Sequence, residues 1–187
     1  MVELNNIVLV GRFGTGKSTV AQVLVDEYGY GRASLASNIK SLARDAYGTL
    51  DKGKHVRVTS RDGKHRDITI RQVLQELGEA VKDMDRDLWL RLLLNDIQFA
   101  TGPLVVDDAR FPFEAEALRQ RGWVIARLYA PQMILMERYK DAYGRLPTEA
   151  EMNHVSETQS DFIRPDIELN AELPPEMLAE ALVAHEV

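Results

Sequence analysis

The sequence predicts an α/β fold with a mainly parallel sheet. Two observations carry that expectation. Short apolar runs alternate with amphipathic helical segments along the chain. A glycine-rich turn, Gly11 to Gly16, stands between the first apolar run and the first helical segment. The 187 residues are 45% apolar and 28% charged, enough for one domain with a sizeable core and unlike a disordered or fibrous chain.

The elements follow in order. Asn6–Val10 reads as a buried strand and Lys17–Tyr28 as a helix with Val20, Leu24 and Val25 on one face. Ser37–Tyr47 is a second helix, with Ser37 as its expected cap and Gly48 as its stop. Lys54–Ile70 alternates like a hairpin around Asp62-Gly63. Ile70–Lys82 is amphipathic, with Ile70, Val73, Leu74, Leu77 and Val81 inward; Asp85–Phe99 follows, with Trp89, Leu92, Leu93 and Ile97 inward. Leu104–Val106 is a strand ending in Asp107-Asp108, and Phe113–Arg121 a helix stopped by Gly122. Trp123–Tyr129 is a strand, Met133–Tyr143 a helix and Gly144–Arg164 a polar, irregular stretch. Ile167–Leu169 is a short strand, and Pro174–His185 a closing helix with proline in its first turn. There is no internal repeat.

Composition excludes several classes. The net charge of −6 argues against a sequence-blind nucleic-acid coat and a stable nucleic-acid partner. The absence of cysteine excludes disulfides, thiolate metal sites and cysteine nucleophiles. No apolar run is long enough for a membrane span, and the start does not read as a signal peptide, so the expectation is a soluble cytoplasmic protein.

The strongest motif is Gly11-Arg12-Phe13-Gly14-Thr15-Gly16-Lys17-Ser18, which fits the phosphate-loop pattern GxxxxGK[ST]. Glycines let backbone N–H groups approach phosphate oxygens, and the following helix start adds partial positive charge. Gly11, Phe13, Gly14, Thr15, Gly16, Lys17, Ser18 and Thr19 are therefore the expected nucleotide contacts. Lys17 is expected to face solvent and carry charge to the β- and γ-phosphates. Ser18 supplies an oxygen to Mg²⁺, with an aspartate of the Asp107-Asp108 turn. The expected cofactors are ATP and Mg²⁺.

Three further segments point to a family. Val106-Asp107-Asp108-Ala109-Arg110-Phe111-Pro112-Phe113-Glu114-Ala115 resembles the "T-D-V-R-F-P-N-E-A" segment of phage deoxynucleoside monophosphate kinases. Leu74-Gln75-Glu76-Leu77-Gly78 with Asp87-Leu88-Trp89 resembles their "L-Q-x-L-G … D-x-W" segment, and His154-Val155-Ser156-Glu157 their "H-x-S-E" motif. Asn170 matches an asparagine near the family's C-terminal strand. The resemblance implies a three-layer phosphate-loop kinase fold over residues 1–187. That fold has a five-stranded, mainly parallel sheet, a substrate-binding insertion at about 37–99 and a helical lid at about 134–164. It also implies transfer from ATP to a deoxynucleoside 5′-monophosphate for DNA precursor synthesis, in the host cytoplasm if the source is viral. The register of the D-x-R-F-P segment assigns the metal to Asp108 rather than Asp107. Departures from the family pattern include Asp107 in place of threonine, Phe113 in place of asparagine, and no arginine after Gly78.

The helix from Ile70 carries Arg71, Gln75, Gly78 and Lys82 at i, i+4, i+7 and i+11, hence on one face. Arg71 suits an acceptor phosphate, Gln75 a base edge, Lys82 the charge of the missing arginine, and Gly78 room for a ligand. Lys40 matches a lysine of the family's "P-L-K" segment, and Trp89 is a candidate stacking residue or core filler. Arg110 is expected to meet the acceptor phosphate and, with Arg138, to stabilise the transferring phosphoryl group; Arg145 and Glu157 are further expected substrate contacts from the lid, with local capping the alternative for Glu157. His154 and Ser156 are either lid contacts or local capping groups. Asp51–Asp67 holds six Lys/Arg against three Asp, which suits either substrate steering or a charged edge hairpin. Two other readings stay open: another small-molecule kinase such as phosphomevalonate kinase, and a non-catalytic, nucleotide-gated binding protein. The expected partner is a small-molecule substrate, and a homodimer is compatible with the sequence.

Overall fold

The computed structural model describes residues 4–185, apart from the side chains of Ala150 and Ser156. Ser156 as a lid contact therefore lies outside the described side chains. The chain divides into two compact units, one formed by residues 1–34 and 99–187, the other by Leu35–Gln98.

The larger unit opens with β1 (Ile7–Val10), whose four residues are fully buried. Each such Val, Leu or Ile contributes about 1.5–3 kcal/mol of apolar burial. The chain then forms α1 (Lys17–Tyr28) and β2 (Gly31–Ala33).

In the second unit, α2 (Ser37–Tyr47) precedes the antiparallel pair β3 (His55–Thr59) and β4 (His65–Thr69), followed by α3 (Ile70–Met84) and α4 (Leu88–Ile97). Ile39, Ala43, Ile70, Val73, Trp89, Leu90 and Leu93 are buried there. Thr69 caps α3, its hydroxyl accepting from the Gln72 N–H while the Gln72 side chain accepts from the Thr69 N–H. By contrast, Ser37 does not cap α2: the cap position is Ala36, with no side-chain bond. The expected 37–99 insertion falls on this unit apart from Phe99. Its hairpin charges are largely paired locally, Arg57 with Asp67, Lys64 with Asp62 and Arg66 with Glu76, a pattern that suits a charged edge more than a steering field.

The larger unit resumes with β5 (Leu104–Val106), α5 (Pro112–Arg119), β6 (Val124–Tyr129) and α6 (Gln132–Tyr143). Short helices α7 (Glu149–Met152) and α8 (Val155–Thr158), a 3₁₀ turn (Gln159–Phe162), β7 (Ile167–Asn170) and α9 (Pro175–Val183) complete it. The Gly144–Arg164 stretch is thus less irregular than its polarity suggests; Glu157, Ser160 and Ile163 are buried.

The sheet order is β2-β5-β1-β6-β7, with every pairing parallel. Ile7 and Leu9 pack with α1 and α9 in the main core cluster. Val8 and Val10, equally buried, point to the opposite face by strand alternation. Strand β2 escaped the sequence reading because it is a three-residue edge with no apolar run; its pairing with β5 defines it. Since β1 lies between β5 and β6, the loop after it opens at the carboxyl edge, where open α/β sheets bind ligands.

The fold leaves Gly11 no alternative. Its φ is +139°, and a Cβ there would lie 2.3 Å from the Leu128 carbonyl oxygen. Gly16 has φ +79° but no neighbouring heavy atom within 4 Å of a Cβ. Gly11→Ala is therefore expected to lose about 2–5 kcal/mol, combining strain and backbone overlap, and Gly16→Ala only about 1–2 kcal/mol. Urea unfolding of both variants checks the ranking; equal losses would refute the close approach to β6.

Candidate phosphate-binding site

Three parallel strands end side by side and deliver the site. After β1 comes the loop Gly11–Gly16, with positive φ at Gly11, Gly14 and Gly16. After β5 come Asp107 and Asp108, and after β2 comes Ser34. The loop feeds directly into α1, whose cap Gly16 is left-handed and accepts at its carbonyl from the Thr19 and Val20 N–H groups.

Lys17 differs from the expectation of a solvent-facing charge. It is only 7% exposed. Its ammonium donates to the carbonyls of Gly11 at 2.6 Å and Arg12 at 2.8 Å, with the Thr15 hydroxyl at 3.4 Å. The Thr15 hydroxyl in turn donates to the Arg12 carbonyl at 2.8 Å. Burial, then the nearby Arg110 charge, pushes the Lys17 pKa down to about 7; Glu157 and Asp107 oppose this. The lysine holds the ends of the loop together because these carbonyls point inward.

The two aspartates of the acidic turn have different partners. Ser18 Oγ donates to Asp107 Oδ2 at 2.6 Å, and the same carboxylate takes the Arg32 guanidinium at 2.5 Å. Asp108 instead accepts from the Ser34 hydroxyl at 2.6 Å. Asp107, not Asp108, is therefore the acid beside the phosphate-loop serine. Successive residues of extended backbone point to opposite sides, so the choice depends on register with β1. One hydroxyl and one carboxylate suit Mg²⁺, which binds hard oxygens and keeps water and phosphate in its remaining positions. Among the described residues no group of three His, Cys, Asp or Glu forms a cage for a metal.

The arginines are committed to protein partners. Arg110 Nη1 donates to Glu157 Oε1 at 2.6 Å, while Glu157 Oε2 accepts from the Phe13 backbone N–H at 2.7 Å. Buried Glu114 accepts from the Arg110 and Phe111 N–H groups, fixing the start of α5. Arg138, expected at the phosphoryl group, gives its donors to the carbonyls of Gly14 at 3.1 Å and Ala171 at 2.8 Å. It braces the loop from behind. Arg145 makes two bonds to Glu151, at 2.8 and 2.7 Å, and lies over the Tyr139 ring. That pairing holds the Glu151 carboxyl well below the usual carboxylate range, and it makes Arg145 a clamp on the stretch after α6. Phe13 packs edge-on against Tyr139, with ring centroids 5.2 Å apart.

Sequence reasoning missed two partners. Arg32 lies on the unread strand β2, and Asp161 pairs with Arg12 at 2.6 Å from the 3₁₀ turn. Glu157 and Asp161, four residues apart, thus bind the second and third positions of the loop. The Arg12–Asp161 spacing carries no sequence signal; only the fold joins them.

In the second unit, α3 presents its expected stripe unevenly. Gly78 is buried, and a Cβ there would meet Ile39 Cδ1 at 3.5 Å. Its carbonyl accepts from the Trp89 indole N–H at 3.4 Å. Gly78 and Trp89 are thus core contacts of this unit rather than open ligand space. Lys82 pairs with Glu79 at 2.9 Å. Arg71 and Lys40 are half-buried, whereas Gln75 is exposed. His154 is exposed, and its carbonyl accepts the Glu157 and Thr158 N–H groups, so its backbone serves local capping.

Comparison with known proteins agrees with this architecture. Among curated proteins, no sequence matches. Solved structures with the same fold include a gluconokinase from Sinorhizobium meliloti 1021, at 16% identity and TM-score 0.55, covering 96% of this chain and 90% of that one. Shikimate kinase from Aquifex aeolicus is similar at 19% identity and TM-score 0.56, over 95% and 93% of the two chains. A sugar kinase from Janibacter sp. HTCC2649 gives 22% identity and TM-score 0.57, over 97% and 99%. At these identities the likeness concerns the fold alone. A family described as "AAA domain" matches residues 7–155, from β1 through the glycine loop and the acidic turn to the start of α8, and the chain belongs to that family.

Proposed function

We propose that the protein is an ATP- and Mg²⁺-dependent kinase that phosphorylates a deoxynucleoside 5′-monophosphate to the diphosphate. One observation carries the kinase reading: the glycine loop, Lys17, Ser18 and Asp107 converge at the carboxyl edge of β1 and β5. The acceptor assignment is supported by the similarity of the Asp108–Pro112, Leu74–Gly78 and His154–Glu157 segments to phage deoxynucleoside monophosphate kinases.

The residues suggest a division of labour. Loop N–H groups from Gly14 to Thr19 bind the donor's phosphates. Lys17 exchanges the Gly11 and Arg12 carbonyls for phosphate oxygens, which restores a fully protonated ammonium beside the developing charge. Ser18 and Asp107 would hold Mg²⁺, which neutralises charge on the β- and γ-phosphate oxygens. An acceptor phosphate oxygen forms the new P–O bond as the bond between the β-γ bridging oxygen and the γ-phosphorus breaks, and ADP leaves. Arg110 is proposed to stabilise the transferring group once released from Glu157. Arg138 acts as a positioning residue through Gly14. Arg71, Gln75 and Lys40 are the proposed acceptor contacts, with Lys82 supplying background charge.

Initial rates with ATP, Mg²⁺ and each common deoxy- and ribonucleoside monophosphate test the acceptor. Gluconate and shikimate serve as non-nucleotide acceptors because similar folds carry those names. ADP formation is expected only with monophosphates, and with selection among bases. Turnover with a non-nucleotide acceptor alone would overturn the substrate reading, and ATP binding without any acceptor-stimulated turnover would favour the binding-protein reading.

Lys17→Ala is expected to lower turnover at least ~10²-fold, about 2.7 kcal/mol of transition-state stabilisation. It should also cost stability, since two loop carbonyls lose their donor. Asp107→Asn should reduce turnover more than Asp108→Asn at saturating Mg²⁺. The reverse order would restore the register expected from the sequence motif.

A further inference from the structure

Arg32 is the charged residue of edge strand β2, and neither the loop motif nor the acidic turn accounts for it. Strand pairing sets it opposite Val105, two residues before Asp107. Its guanidinium forks onto that carboxylate, Nη2 to Oδ2 at 2.5 Å and Nε to Oδ1 at 3.3 Å. Oδ2 is also the oxygen that accepts the Ser18 hydroxyl at 2.6 Å.

Burial explains why a cation is needed there. Asp107 is 7% exposed, and a carboxylate so enclosed is costly without a charged partner. The Arg32 side chain is 37% exposed, so it has a route to solvent without disturbing the sheet. A divalent cation held by Ser18 and Asp107 would meet the guanidinium charge on the same carboxylate. Two like charges cannot share the position without strong repulsion.

We infer that Arg32 is a built-in counter-cation that competes with the divalent cation for Asp107, and so sets the cation concentration at which the site loads. The inference rests on the proposed nucleotide site, because the competing cation arrives there with the donor's phosphates. It predicts a site that resists free cations and accepts them with a polyphosphate, whose own negative charge favours the exchange.

The test is Mn²⁺ titration of the full chain in the presence of ADP, followed by the loss of the free Mn²⁺ paramagnetic signal. Arg32→Met keeps the apolar stem and removes the charge. Its half-saturating Mn²⁺ concentration is expected to fall about 2- to 5-fold below that of the unmodified protein, the scale of a partly exposed ion pair. Its melting temperature without ligand should drop, and Mn²⁺ should raise it more than in the unmodified protein. Arg32→Lys, which keeps the charge but not the fork, should fall between the two. Mn²⁺ affinity that is unchanged or weaker in both variants would overturn the inference while leaving the proposed function standing. No Mn²⁺-dependent ADP complex in the unmodified protein would overturn both.

Discussion

Burying the Lys17 ammonium requires oxygen acceptors around it, and the loop from Gly11 to Gly16 supplies them. The carbonyls of Gly11 and Arg12 turn inward at 2.6 and 2.8 Å, with the Thr15 hydroxyl nearby. Turning those carbonyls inward requires the left-handed or strained backbone of Gly11, Gly14 and Gly16. Gly11 also passes against the β6 carbonyl of Leu128, which leaves no room for a side chain. The loop's shape and its fixed place over β1 are thus tied to one buried charge.

The same constraint organises the charges around it. Four charged side chains around the loop have internal partners: Arg110 has Glu157, Arg12 has Asp161, Arg138 has the Gly14 and Ala171 carbonyls, and Asp107 has Ser18 and Arg32. Asp107 and Glu157 are buried, and either carboxylate left unpaired would cost several kcal/mol. Under the proposed function, ligand binding here would exchange these internal partners for phosphate and cation. The stretch after α6, part of the helical lid expected at about 134–164, takes part in this network through Glu157 and Asp161.

Much of the fold was legible because its signals were local. The apolar run of β1, the glycine spacing and the amphipathic face of α1 each state their structure within a few residues. The β3–β4 hairpin and α3 were equally plain, although the cap at Thr69 was not read from the sequence. Strand β2 was not legible, since Gly31-Arg32-Ala33 becomes a strand only by pairing with β5. The site was legible in kind but not in detail. Asp107 and Asp108 are adjacent, so the sequence offers both acids, and only register with β1 decides which meets Ser18. Arg138 and Arg145 read as phosphate ligands by charge, yet their partners, two carbonyls and Glu151, lie far away or in a cap that spacing does not reveal. Gly78 reads as ligand space by its cost in a helix, whereas its contact with Ile39 and Trp89 is a packing reason.

The central claim is that the loop, Ser18 and Asp107 form a cation–polyphosphate site whose internal partners give way on binding. The most direct measurement is a crystal structure of the protein with ADP and Mg²⁺. The account predicts the β-phosphate within the Gly11–Gly16 loop, the cation on Ser18 and Asp107, and Lys17 and Arg32 moved from the carbonyls and carboxylate they hold here. ADP bound elsewhere, or bound in the loop with Arg32 still on Asp107 and the cation on Asp108, would contradict it.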